Sequence, residues 1–338
     1  MTPEQRLSAF SRLGSLLEKK VETGVEEQSE ALFNKTTQLN PWFIRKNILY
    51  AIASLAEMLK EDQLDKWLVK YDQNKLHASK PKNVGVVNAG NIPFVGFHDF
   101  LCVLISGNNY IGKNASDDML LLPWIAEELI KVEPKFKERI SFVEKLKDID
   151  AVIATGSNNT ARYFEYYFGK YSHIIRKNRN AIAVLKGDES KEELTLLGED
   201  IFRYFGLGCR NVSKLYVPRG YNFNGFFEAI FSFSKVMQHN KYMNNYDYNR
   251  AVFLMRQIPF LENNFLIIRE DSFIPSPISV VHYEFYDDDK KLKENLAEHK
   301  EQIQCIIGSD YIPFGQAQCP SLWDYADGMD TMDFLLSL

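Results

Sequence analysis

The feature that most constrains the fold is a change of rhythm at Asn83. Beyond it, short β-branched runs alternate with helical stretches. Val84, Val86 and Val87 lie in a run that ends at Ala89 and opens into Gly90–Asn91–Ile92–Pro93. An apolar helix is predicted over 94–106, stopping at Gly107. A short strand, 110–112, leads to Lys113, and another helix follows over 118–132. Further strands are predicted at 150–154, 174–175, 181–185, 212–217, 265–269, 278–285 and 303–307. Between them lie helices at 159–171, 191–205, 221–239, 244–257 and 289–302. Buried strands separated by helices are the pattern of parallel sheets with crossover helices.

The first 70 residues read as helices. Thr2, Pro3 and Gln5 form a capping-box start, with proline where its missing N–H costs nothing. Leu7, Phe10, Leu13 and Leu17 then share one helical face, and a helix opened by Pro41 carries Ile48, Ile52, Leu55 and Leu59 on another. The polar stretch 70–83 reads as a connector, and a last helix is predicted after Asp330.

Composition narrows the function. A length of 338 residues suits about two domains. A net charge of −5 argues against a nucleic-acid partner. Four cysteines without a CxxC pair suggest reduced thiols and no structural zinc. The six histidines never pair at helical spacing, so no metal is expected. The aspartates at 324, 327, 330 and 333 lack a calcium-loop pattern and read as a solvated or capping face. The longest apolar run, 100–105, is far short of the 18 or so residues of a membrane span. The start MTPEQRLSAF has no apolar h-region, so a cytoplasmic location is expected.

Three places can carry chemistry. Cys209 lies in GLGCRN, where Gly206 and Gly208 let the backbone approach a ligand and Arg210 favours the thiolate. Cys102 and Cys305 sit in apolar elements and read as small buried hydrophobes, while Cys319 lies in a loop. Asn91 follows a strand end and offers an amide to a developing oxyanion, or else caps the next helix. Thr155, Gly156 and Ser157 form a turn entering a helix, suited to a phosphate or simply to a strand–helix turn. His98 reads as a satisfied histidine.

Taken in order, these segments are specific. NAGNIPFVGFHDFLCVLISGNNYIGKNASDD, ATGSNNT, NRNAIAVL and FGLGCRNVSKLYVP resemble the aldehyde dehydrogenase superfamily, over about 84–217. Within it, GNIP, GK and DYADGMDT resemble the LuxC-type acyl-CoA reductases of bacterial bioluminescence, more loosely over 83–338. The resemblance implies an α/β protein with a Rossmann-type cofactor domain, a smaller α/β catalytic domain and an N-terminal helical region. The expected division is 1–205, with the cofactor core at 83–205, then a catalytic domain at 206–308, and a segment 309–338 packing back on the first domain. Cys209 is then the nucleophile and Asn91 the oxyanion donor, together with the Cys209 backbone N–H. Lys113, Thr155, Gly156 and Ser157 bind NADPH or NADH.

The resemblance implies reduction of a long-chain acyl-CoA, or of an acyl group from a donor protein, to the aldehyde by a homo-oligomer. Phe223, Phe226, Phe227, Phe231 and Phe233 are candidates for an acyl pocket or for core. Two departures stand out. Hydrolytic relatives carry a water-activating glutamate before NAIAVL, where HIIRKNRN places Ile175 and no carboxylate. Their cofactor-ribose glutamate is replaced by Phe273 in FIPSP. The alternatives are a cofactor-independent acyltransferase or thioesterase, a CoA-acylating aldehyde dehydrogenase, and a non-catalytic acyl-binding relative.

Overall fold

The computed structural model describes residues 1–77 and 80–338 and divides into two units, Met1–Lys177 with Ser321–Leu338, and Asn178–Pro320.

The first unit opens with helices α1 (Pro3–Thr23), α2 (Glu27–Leu39), α3 (Arg45–Met58), α4 (Glu61–Leu68) and α5 (Gln73–Leu76). The capping box forms: Thr2 Oγ1 accepts from the Gln5 N–H, and Gln5 Oε1 accepts from the Thr2 N–H. Phe10, Leu13 and Leu17 are fully buried, whereas Leu7 is only half-buried. A Cβ on Gly14 would stand 2.8 Å from Leu59 Cβ, so glycine lets α1 approach the end of α3. Pro41 does not start α3. It lies in a turn, and the helix begins at Arg45. The connector contains α5, and its residues 78 and 79 lie outside the described residues.

The rhythm after Asn83 becomes β1 (Asn83–Val87), α6 (Phe97–Ile105), β2 (Asn109–Lys113), α7 (Leu121–Val132), β3 (Ile140–Phe142), β4 (Ala151–Thr155), α8 (Asn158–Phe168) and β5 (Ser172–Arg176). All pair in parallel, in the order β3-β2-β1-β4-β5. Two helices start three residues later than their apolar pattern suggests. Phe94 adopts φ 58°, which a helix start excludes, so α6 begins at Phe97. Asp118 caps from outside α7, its Oδ1 accepting from the Leu121 N–H at 3.2 Å.

The C-terminal segment is fastened to this unit. Trp67 Nε1 donates to the Tyr325 hydroxyl at 2.7 Å, and the Tyr71 hydroxyl donates to Asp330 at 2.8 Å. His98 Nε2 lies 2.9 Å from the Leu322 carbonyl, so it is a satisfied histidine. The Lys177 N–H donates to Asp327, and Asp330 caps the last helix, Thr331–Leu336. The buried Arg176 guanidinium bridges Asp99 on α6, at 2.5 and 2.9 Å, and Thr331 Oγ1, at 2.7 Å.

The second unit contains β6 (Asn180–Val184), α9 (Lys191–Phe202), β7 (Val212–Pro218), α10 (Asn224–Ile230), α11 (Asn240–Met255), β8 (Leu261–Glu262), β9 (Ile267–Glu270), β10 (Val280–Tyr286), α12 (Asp289–Glu298) and β11 (Ile303–Ile307). Its sheet runs β11-β6-β7-β10-β9-β8, parallel except for β8 against β9. The division therefore falls at 177/178, where the sequence suggested 205/206. The reason is pairing: β6 lies between β7 and β11, so β6 and α9 belong with β7, the strand that follows Cys209. The helix predicted over 221–239 is α10 followed by a 3-10 stretch, Phe231–Gln238. Two of its five phenylalanines are core. Phe223 and Phe226 are buried, and Phe233 stacks on Phe202, over Gly198 where no Cβ could stand. Phe231 instead points to solvent.

Asp118 gives a pH prediction. Burial raises its pKa to about 7, against the opposing pull of the backbone N–H groups of Leu121, Phe94 and Leu120. The folded state then holds this proton more tightly than the unfolded chain does. Its contribution to stability is present below about pH 4 and is lost as pH rises through about 7. In Asp118→Asn this loss disappears, so its melting temperature relative to wild type rises across that window. A difference that stays flat in thermal melts from acid to neutral pH would contradict the assignment.

Candidate active site

The first unit gathers its expected site residues at one sheet edge. In register, Val87 stands opposite Lys113 on one side and Ala154 on the other. The carboxyl ends of β1, β2 and β4 are therefore level. Asn91 follows the first, Lys113 ends the second, and Thr155, Gly156 and Ser157 end the third and lead into α8. This is where the connections diverge, since β1 leads to β2 on one side and β4 lies on the other. Ligands of open α/β sheets bind at such switch points.

Local chemistry shapes this edge. Asn88 Nδ2 donates to the Tyr110 hydroxyl at 2.8 Å and to Asn114 Oδ1 at 2.9 Å, which ties the loops after β1 and β2 together. A Cβ on Gly90 would lie 2.8 Å from Ala115 Cβ, so the turn before Asn91 is pressed against the loop after Lys113. Asn91 is exposed and is not a helix cap, because the cap position of α6 is Gly96. Lys113 is exposed. A Cβ on Gly156 would meet the Phe164 ring at 2.9 Å, so that turn needs glycine. Ser157 does cap α8, its Oγ accepting from the Thr160 N–H at 3.2 Å.

Cys209 lies in the second unit, exposed, three residues before β7. The chain reaches it through three successive left-handed residues, Tyr204 (φ 52°), Phe205 (φ 58°) and Gly206 (φ 79°). Such a conformation costs about 1–3 kcal/mol at each non-glycine residue and persists only where packing imposes it. Tyr204 and Phe205 are buried, and the Phe205 ring lies 4.2 Å from that of His239. The helix predicted to Phe205 therefore ends at Phe202.

Residues that no sequence motif marks brace the Cys209 loop. Buried Asn211 accepts from the Gly208 N–H at 2.8 Å and donates to the carbonyls of Asp200, Ile201 and Arg203. Arg210 donates to the Ala317 carbonyl at 3.2 Å. Asp200 in turn accepts from the N–H groups of Gly315 and Ala317, at 2.7 and 3.0 Å. Burial raises its pKa to about 6. Nothing in the local sequence marks Asp200, which looks like any helical acid. Cys319 is exposed on the loop that follows, while Cys102 and Cys305 are buried. Ile175 is half-buried in β5, and the stretch 173–180 holds no carboxylate. Among the described residues, no group of three or more His, Cys, Asp or Glu side chains could hold a metal.

A parallel sheet and a second sheet that is parallel except at its β8 edge, each with crossover helices, make a fold that solved aldehyde dehydrogenases share. Aldehyde dehydrogenase 21 from Physcomitrella patens, in complex with the reaction product succinate, superposes with a TM-score of 0.63 at 14% identity, covering 92% of this chain and 74% of that one. KauB from Pseudomonas aeruginosa gives 0.63 at 14%, covering 91% and 72%. The Mycobacterium tuberculosis aldehyde dehydrogenase complexed with NAD+ gives 0.61 at 14%, covering 87% and 71%. A search of curated proteins finds no significant match. The family model for acyl-CoA reductase (LuxC) matches residues 9–225. The chain belongs to the LuxC acyl-CoA reductase family and is an oxidoreductase acting on acyl-CoA or aldehyde.

Proposed function

We propose that the protein reduces a long-chain acyl thioester to the aldehyde through an acyl-enzyme on Cys209. The observation that carries this is the exposed Cys209 thiol on a braced, strained loop, in a chain with no carboxylate at 173–180 to activate water. The Cys209 thiolate attacks the thioester carbonyl. A carbon–sulfur bond to Cys209 forms, that to CoA breaks, and the CoA thiolate leaves and takes a proton. Asn91 and the Cys209 backbone N–H donate to the oxyanion, and one such donor is worth about 3 kcal/mol. On this reading the lack of a carboxylate in 173–180 removes the water-activating base of hydrolytic relatives, and the acyl-enzyme resists hydrolysis.

The carboxyl edge of the first sheet suits a nicotinamide dinucleotide. Gly156 allows close approach, the first N–H groups of α8 face a phosphate, and Lys113 offers an exposed ammonium for the ribose. When bound as NADPH or NADH, this cofactor supplies the hydride that the reduction consumes. On this reading the first unit is the cofactor domain and the second the catalytic one. The acyl group arrives as acyl-CoA or on a donor protein, and the enzyme works as a cytoplasmic homo-oligomer. Among the described residues, no helix is long and apolar enough to cross a membrane.

The test is consumption of NADPH and NADH with acyl-CoAs from short to long chain, with the aldehyde identified by mass spectrometry. Aldehyde formed in step with cofactor oxidation, preferentially from long chains, is expected. Acylation of Cys209 without cofactor consumption would replace the reductase reading with that of an acyltransferase.

A further inference from the structure

Two chains of hydrogen bonds run from one buried residue to the two neighbours of Cys209. The Asp200 carboxylate accepts from the N–H groups of Gly315 and Ala317, one on each oxygen. The carbonyl of the same Ala317 accepts from Arg210, at 3.2 Å. The second chain leaves from the Asp200 backbone. Its carbonyl accepts from Asn211 Nδ2 at 3.0 Å, and Asn211 Oδ1 accepts from the Gly208 N–H. Gly208 and Arg210 flank Cys209 on either side. The segment carrying Ala317 is seated on the helix of Asp200, where a Cβ on Gly315 would stand 3.0 Å from the Leu196 side chain.

Asp200 is completely buried, a rare place for an aspartate, and each carboxylate oxygen is satisfied by a backbone N–H. Residues 313–320 carry no charged side chain, and Cys319 is their one titratable group. Of the other elements packed on α9, α10 brings Glu228, residues 231–238 Lys235, β7 Lys214 and Tyr216, and residues 203–206 Arg203 and Tyr204. The one charge that shifts Asp200 is that of Glu199, on its own helix. Burial, helped by Glu199, raises the pKa to about 6 against the pull of the two N–H groups. Above that pH the carboxylate accepts twice; below it, one oxygen carries a proton. We propose that Asp200 is a positioning residue for Cys209, acting through Ala317 and Arg210. Protonation of Asp200 then loosens the Cys209 loop and slows its reaction. The inference rests on the acyl-enzyme reading for that reaction.

The experiment has two arms between about pH 5 and 8: acylation of Cys209 by dodecanoyl-CoA, followed by mass spectrometry, and hydrogen exchange of the peptide 204–212. Asp200→Asn is neutral at every pH and turns an amide N–H towards one of the two backbone donors. Its acylation is expected to be about tenfold slower at pH 8, because small displacements of a reacting atom are costly. The ratio of wild type to variant falls towards one below about pH 6, where wild type is neutral too, and the exchange rates converge in the same way. In Arg210→Met the link is already cut, so adding Asp200→Asn changes little more. Should Asp200→Asn fail to fold, wild type still carries the test: exchange in 204–212 relative to β7 rises below about pH 6, and Arg210→Met lacks that rise. A ratio constant with pH, additive effects of the two substitutions, or faster exchange with unchanged acylation overturns the inference. If wild type takes up no acyl group, the acyl-enzyme reading fails, while the exchange arm still decides whether Asp200 holds the Cys209 loop.

Discussion

Cys209→Ala abolishes acyl-CoA-dependent cofactor oxidation, by at least about three orders of magnitude, because removing a nucleophile leaves only binding and oxyanion stabilisation. The same variant takes up no acyl label in intact-protein mass spectrometry. Its melting temperature stays near that of wild type, since the residue is exposed and Asn211, Arg210 and Asp200 hold the loop. Asn91→Ala behaves differently. It retains the thiol, so labelling persists, but turnover falls by about 10²–10³ because one oxyanion donor is lost. Residual turnover in Cys209→Ala above a few per cent would remove the cysteine from the mechanism. Cys319→Ala serves as a control, being an exposed thiol on another loop. If that variant, and not Cys209→Ala, lost the label, the nucleophile would have been misassigned.

Arg176→Met destabilises the first unit by about 3–5 kcal/mol, the cost of leaving one partner of a buried ion pair unpaired. For a unit of this size that is roughly 6–20 °C in melting temperature. The pair is bidentate, with side-chain exposures of only 4% and 10%, so water cannot replace the missing partner. The guanidinium also holds Thr331 on the C-terminal helix. The variant should therefore lose protection of the C-terminal segment first, seen as early proteolysis near 321–338. In Arg176→Met/Asp99→Leu no charge is left buried, and much of the stability returns. A single variant as stable as wild type in thermal and denaturant melts would show that the pair is not tight in solution.

Much of this was legible from local signals. The Thr2 capping box, the apolar faces of α1 and α3, and the alternation of strands and helices after Asn83 all appear where spacing places them. The strands missed were β3 and β8, of three and two residues. Neither has a β-branched run, and each exists because a neighbour pairs with it. Helix starts slipped where an apolar run began before the backbone turned, as at Phe94, whose positive φ no side-chain pattern announces. The candidate motifs at Asn91, Lys113, Gly156 and Cys209 stood out because their order along the chain resembles one superfamily, although each alone has an ordinary structural use.

The sequence alone therefore determined the order of most elements and the capping box of α1, and it nominated the candidate site residues, since each of these signals depends on neighbours within a few positions. Tertiary structure decided the rest. It separated β5 from β6, three residues apart in the chain, into different sheets, because strand partners are chosen by surfaces far away in sequence. It released Asn91 from capping α6, set Asn211 and Asp200 behind the Cys209 loop, and brought Ser213, Lys214 and His282 to the carbonyls of Ile274, Ser272 and Phe273. A buried polar side chain gains from its hydrogen bonds only where folding has placed the partner, and no local pattern encodes that place.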